Sequence, residues 1–215
     1  MFAGGDLPDG LSSDDLADAS VVVAADSGLR HARSLALRVH AVVGDLDSAS
    51  DDDLVWARSC GAEVISFPAD KDATDLELAM AHAEAIEGID RLVIVAVEGG
   101  RLDHEMGNWA VCCGPWGAAV EVITDRGRVV ILRGDGQNSV DVSGAPGEVL
   151  SLLARTGPAS GVYASGLRWP LSDATLLPNS SLGISNELTA SVAKISVEDG
   201  VLLVVRAASS GSASS

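Results

Sequence analysis

Five near-continuous runs of aliphatic, mostly β-branched residues punctuate the first 125 positions, and segments of helical period lie between them. The runs are SVVVAA (20–25), HAVV (40–43), EVISF (63–67), RLVIVAV (91–97) and AVEVIT (119–124). Strands that read this way, without polar alternation, are covered on both faces, as in parallel sheets. The intervening GLRHARSLAL, DDDLVWARSC, TDLELAMAHAEAI and HEMGNWAVCC predict crossover helices. In the third, Leu76, Ala79, Met80 and Ala83 share one face. After residue 127 the pattern changes to short apolar runs separated by Gly, Pro, Asn and Asp turns, with no sustained helical period. That is the pattern of antiparallel strands. The expected fold class is α/β plus all-β: a doubly wound, mostly parallel α/β sheet domain over 1–127, then an antiparallel β-sandwich over 128–208. The low-complexity stretch 209–215 is expected to be a flexible tail.

Composition narrows the partners. The chain has 215 residues, 21% of them charged, with a formal net charge of −17. Nucleic acid and anionic membrane surfaces repel such a chain, whereas a cationic ligand, or an anionic one carried in with metal, suits it. No apolar run approaches the roughly 20 residues of a membrane helix, and the N-terminus lacks a signal peptide's pattern. Cys60, Cys112 and Cys113 are odd in number and lack C-x-x-C spacing. They read as buried thiols of a cytoplasmic protein.

Acidic residues gather where the predicted strands end. Asp26 follows the first run, Asp45 and Asp47 the second, and Glu98 the fourth, while the loop after the third carries Asp70, Lys71, Asp72 and Asp75. Ligands of open parallel sheets bind outside the carboxyl ends of the strands. Hard oxygen donors converging there favour Mg²⁺ with phosphate oxygens as further ligands. Each piece also has a plainer reading: Asp72 and Asp75 as a helix cap and first-turn charge, Asp26 as a turn residue, Asp45 and Asp47 as a strand ending in a polar turn, with Ser48 or Ser50 capping the next helix. Two like charges one residue apart are costly without a counter-ion, and this favours the functional reading of Asp45 and Asp47.

The loop EGGRLDHEMGN (98–108) adds Gly99 and Gly100, where backbone can approach a ligand, and Arg101, whose planar fork suits phosphate. Asp103 reads equally as a helix cap. The only lysines are Lys71 and Lys194, and neither follows glycine, so a G-x-x-x-x-G-K-[ST] phosphate loop is excluded. His104 stands beside the glycine pair, but a lone histidine is more often structural. Trp169 lies in ASGLRWPL, where no helical or strand period calls for it.

Taken in order, AADSG, GDLDS, KDATDLE, GGRLDH, SGLRWPL and GISNEL resemble the motifs of the thiamine pyrophosphokinase family over nearly the whole chain. The resemblance implies transfer of a pyrophosphoryl group from ATP to the hydroxyl of thiamine with Mg²⁺, by a homodimer whose active site is shared between subunits. By position, Asp26, Asp45, Asp47 and Asp75 would hold the metal, with Asp45, Asp47, Asp75 and Arg101 catalytic. ATP would meet Asp26, Lys71, Asp72, Gly100, Arg101 and Asp103. Thiamine would meet Trp169, Ser185 and Asn186. Two departures stand out. The family's Asp-Gly-Gly is here Asp26-Ser27-Gly28, and only Met1 and Phe2 precede the Ala3-Gly4-Gly5 that a full strand precedes in the family. Either that first strand is a stub or the start lies upstream.

Two other readings compete. An aspartyl-phosphate phosphohydrolase also has two aspartates one residue apart after a strand, but it wants Thr or Val at position 49, where Ala49 stands, and no Gly44 between strand and nucleophile. A thiamine- or nucleotide-binding regulator without turnover would not need carboxylates at every motif position.

Overall fold

The computed structural model describes residues 1–208. The tail expected to be flexible, 209–215, lies outside the described residues. The chain divides into two compact units, Met1–Val111 and a second that begins at Cys112.

In the first unit the elements run β1 (Val23–Ala25), α1 (Leu29–Ser34), β2 (Ala41–Gly44), α2 (Asp51–Ser59), β3 (Glu63–Ser66), α3 (Asp75–Glu84), β4 (Arg91–Val95) and α4 (Leu102–Cys112). β1, β2 and β3 pair in parallel in that order, with Val42 opposite Ala24 on one side and Val64 on the other. Every residue of β1 and β2 is buried, as their unbroken apolar runs predict, whereas the edge strand β3 is only partly covered. Burying each such valine contributes about 1.5–3 kcal/mol. α3 lies over β1 and β2 and buries Leu76, Ala79, Met80 and Ala83, the stripe its sequence presents. Its cap is Thr74, whose Oγ1 accepts from Glu77 N; Ser50 does the same for α2 through Asp53 N.

The leading residues act as a strand. Phe2 N donates to Val23 O and Ala25 N to Phe2 O, while Ala3 N donates to Val95 O and Val95 N to Met1 O. The segment thus lies parallel between β1 and β4, with Phe2 fully buried. The Met1 ammonium donates to Val93 O at 2.6 Å, and burial pushes its pKa from near 8 down to about 5. The unfolded chain therefore binds more protons between these values, and stability is lost as pH falls from 8 towards 5, by roughly 4 kcal/mol in all. A chain extended by a few residues ahead of Met1 carries an amide there instead. It should melt higher at neutral pH and show a flatter profile between pH 8 and 5. Parallel melting profiles for the two chains would refute this.

The second unit is all strand: β5 (Ala119–Thr124), β6 (Gly127–Arg133), β7 (Ser139–Ser143), β8 (Val149–Ser165), β9 (Leu171–Leu176), β10 (Asn186–Glu187), β11 (Val192–Ser196) and β12 (Asp199–Ala207). The run 119–124, read from its composition as a strand of the parallel sheet, pairs antiparallel with β6 on one side. Composition reports burial and is silent on direction, and the two-residue turn Asp125–Arg126 permits only a hairpin. The order continues β6-β12-β8-β11-β7, with β9 and β10 also on β8. The 17-residue β8 makes this possible: its first half pairs with β12 and β10, its second with β9 and β11. Positive φ at Thr156 and Gly161 and the register shifts around them bend it, so the sheet curls. One core fills the curl, from Leu132, Leu150 and Leu152 to Leu176, Ile195 and Leu202.

Candidate active site

Three strand ends and one loop build a cavity of about 520 Å³ within the first unit. Asp26 follows β1, Asp45 and Asp47 follow β2, Lys71 and Thr74 come from the β3–α3 loop, and Gly99 to Arg101 follow β4. Backbone strain concentrates at these ends: Asp26, Leu46 and Ala96 have φ of 42°, 64° and 60°. Such conformations cost of order 1–3 kcal/mol each and persist where the surroundings impose them. Leu46 turns the chain so that Asp47 N donates to Asp45 Oδ1 at 3.3 Å. Gly44 is favoured by backbone and by space. Its φ is 153°, and a Cβ there would stand 3.0 Å from Asp26 Cβ and 3.0 Å from the Asp75 carboxyl, so a side chain would crowd both aspartates.

Carboxylate oxygens of Asp26, Asp45 and Asp47 lie within 4.8 Å of one another. Lys71 Nζ sits among the acids, 3.0 Å from Asp45 Oδ2 and 3.1 Å from Asp75 Oδ1. That hydrogen bond from Lys71 holds the Asp45 carboxyl below its usual range. Burial works against the Lys71 charge, but Asp45 and Asp75 outweigh it and raise the lysine. Asp26 goes the other way: it is 8% exposed, its Oδ1 has no hydrogen-bond partner, and burial raises its pKa, with the Asp75 and Asp47 charges adding to the rise. A buried carboxylate oxygen without a donor, facing two further carboxylates, fits a hard divalent cation.

The remaining site candidates divide. Gly100 and Arg101 line the cavity, with Arg101 held outward by a two-pronged contact to Asp103 at 3.1 and 2.5 Å. Asp103 and the exposed Asp72 are not among the lining residues. Sequence reasoning passed over Ser48, which donates to Asp47 Oδ1 at 2.9 Å, and over His104 and Asn108, one turn apart on α4 and both on the cavity wall. The helical period of HEMGN was the signal that joins those two.

In the second unit, Trp169 and Asn186 form one structure. Asn186 is buried; its Oδ1 accepts from Trp169 N at 3.0 Å and its Nδ2 donates to Trp169 O at 2.7 Å. The Asn186 amide is thus committed to holding the Trp169 loop. The Trp169 ring itself is 52% exposed and carries the Arg168 guanidinium 4.8 Å from its centroid, and Arg168 in turn pairs with Glu187. Ser185 has φ of 58° and donates from its backbone to Ser151 Oγ, leaving its own side chain exposed.

Fold and cavity define a class: an α/β unit with an acidic ligand cavity at the carboxyl ends of its parallel strands, followed by a curled antiparallel β unit that presents an aromatic ring. Residues 14–124 match the family model described as thiamin pyrophosphokinase, catalytic domain, and residues 137–202 match thiamin pyrophosphokinase, vitamin B1 binding domain. The chain belongs to the thiamin pyrophosphokinase family. It is 25% identical over 170 residues to thiamine pyrophosphokinase 2 of Arabidopsis thaliana, spanning 76% of this chain and 64% of that one. It is 26% identical over 173 residues to the thiamine pyrophosphokinase of Bacillus subtilis, spanning 76% of each. The fold matches the crystal structure of the Bacillus subtilis thiamine pyrophosphokinase with a TM-score of 0.79 at 22% identity, over 96% of this chain and 97% of that one. The thiamin pyrophosphokinase of Candida albicans shares the fold with a TM-score of 0.74 at 14% identity, over 96% and 88%. None of the described helices is long and apolar enough to cross a membrane.

Proposed function

We propose that this protein is an ATP:thiamine diphosphotransferase, acting in the cytoplasm as a homodimer. The observation that carries the reading is the carboxylate cluster of Asp26, Asp45 and Asp47, with Asp75 and Lys71 closing it, in a chain that matches both family domains. Asp26, Asp45, Asp47 and Asp75 would hold Mg²⁺. When bound, the metal supplies charge neutralisation to the polyphosphate of ATP. Arg101, at the exposed mouth, exchanges Asp103 for phosphate oxygens, while Lys71 and the Gly99-Gly100 backbone border the same space. The thiamine hydroxyl oxygen forms a bond to the β-phosphorus, the bond from that phosphorus to the bridging oxygen of AMP breaks, and a carboxylate of the cluster takes the hydroxyl proton. With both reactants anchored, positioning and electrostatics supply the rate.

Thiamine carries a fixed positive charge, which suits a chain of net charge −17 and an exposed tryptophan face. Trp169 and Ser185 contact it in this reading, and Asn186 positions the Trp169 loop. The proposal keeps the finer architecture expected from the sequence. A doubly wound domain over 1–127 binds Mg-ATP and a sandwich over 128–208 binds thiamine. In the dimer each site draws on both subunits.

Incubation with ATP, thiamine and Mg²⁺ tests the activity directly. AMP and thiamine diphosphate in equal amounts are expected. Phosphate released from small esters would point instead to a phosphohydrolase, and binding without product to a regulator; either result overturns the proposal.

A further inference from the structure

Among the described residues, the cavity holds one ammonium within contact distance of its carboxylates, and that group stands where a cation would. Lys71 Nζ contacts Asp45 Oδ2 and Asp75 Oδ1, and its side chain is only 14% exposed. Asp45 is also a member of the trio whose oxygens lie within 4.8 Å, so an ion taken up there meets a carboxylate that Lys71 already engages. The buried, partnerless Oδ1 of Asp26 shows that the lysine leaves the cluster incompletely satisfied. Lys71 lies in the loop before α3, outside any helix or strand, so its side chain can turn away without breaking a ladder of backbone bonds.

We propose that Lys71 is an exchangeable internal counter-ion: it holds the acidic cavity together when no metal is present and is displaced from Asp45 when a divalent cation binds. This rests on the cation-site reading above. Metal entry then becomes an exchange of one positive charge for another. The four aspartates never face one another unscreened, and an ion must hold them better than an ammonium does in order to enter. A lysine that is a permanent strut makes the opposite demand, since removing it would disorder the site.

Two measurements decide it. Mn²⁺ binding to the nucleotide-free protein, followed by calorimetry, should be about tenfold tighter in Lys71→Met than in the native chain, because the competing ion pair is gone. Without metal the variant should melt lower, and metal should raise its melting temperature more than it raises the native one. Should Lys71→Met fail to fold, Lys71→Gln takes its place. The second measurement uses the native chain. Lys71 and Lys194 are its only lysines, and Lys194, 69% exposed and paired with Asp141, is an internal reference. Acylation of Lys71 relative to Lys194 should rise several-fold when Mg²⁺ is added. If Mn²⁺ binds the native chain but the variant binds no more tightly, or Lys71 labelling does not change, the exchange is overturned and the cation site stands. If neither chain binds Mn²⁺, both are overturned.

Discussion

Replacing Asp26 and Asp45 by asparagine should abolish turnover in both cases while moving stability in opposite directions. Each removes a carboxylate from the same cluster, and loss of one preorganised charge at a phosphoryl-transfer site lowers kcat by about 10²–10³-fold or more. Stability follows each group's surroundings. The Asp26 carboxyl has its pKa raised by burial, so its charged form costs stability, and that cost grows as pH rises through the folded pKa. Asp26→Asn should therefore melt higher than the native chain at neutral pH. The Asp45 carboxyl has its pKa lowered by Lys71, so it stabilises the fold above its unfolded pKa, and that contribution is lost as pH falls through the folded value. Asp45→Asn should melt lower. Asp47 is exposed and hydrogen-bonded to Ser48, so Asp47→Asn should lose turnover with little change in melting. Melting curves at pH 7 with and without Mg²⁺, beside the product assay, check all three. Near-native activity in any of them at saturating Mg²⁺ refutes the metal-site reading.

Mixing two inactive variants should restore activity. Asp45→Asn damages the α/β unit, and Trp169→Ala with Ser185→Ala damages the β unit. Both of the latter side chains are exposed, so the fold should survive their loss, whereas Asn186→Ala would release the Trp169 loop from its anchor. If each site is assembled from both subunits of the dimer, a mixed dimer carries one site with both lesions and one with none. Random reassortment of equal amounts makes half the dimers mixed, so activity should recover to roughly a quarter of the native value. Sites contained within one subunit leave every site damaged, and the mixture stays as inactive as its parents. Absence of recovery after confirmed subunit exchange rules out the shared site. Exposed Trp169, Leu182 and Ile184 give the β unit an apolar surface suited to such a contact.

Much of the first unit was legible because its signals are local. The buried stripe of α3 follows from spacing within one helix, and full burial of β1 and β2 follows from their unbroken aliphatic runs. The placement of Asp26, Asp45 and Asp47 on one rim follows from the rule that parallel strands end on the same side. The β unit was legible as strands but not as a sheet. Nothing in 119–124 says which neighbour it takes, and the role of β8 as the strand that serves both halves depends on bends at Thr156 and Gly161 that have meaning only beside their partners.

What the sequence by itself determined is the order of elements and the residue types at strand ends, since both are set by periodicity and by chain direction over a few residues. The tertiary structure alone decided which of those residues touch. Lys71 reaches Asp45 across 26 positions, and a side chain at Gly44 would crowd Asp75, which is far along the chain. Asn186 turns out to be the anchor of Trp169, 17 residues away, with its amide spent on that loop's backbone. Asp72 and Asp103 satisfy the same local pattern as their neighbours yet stand off the cavity wall. Local pattern specifies which face a side chain leaves from. Contacts between distant segments depend on how strands and helices pack, and only the folded chain brings those segments together.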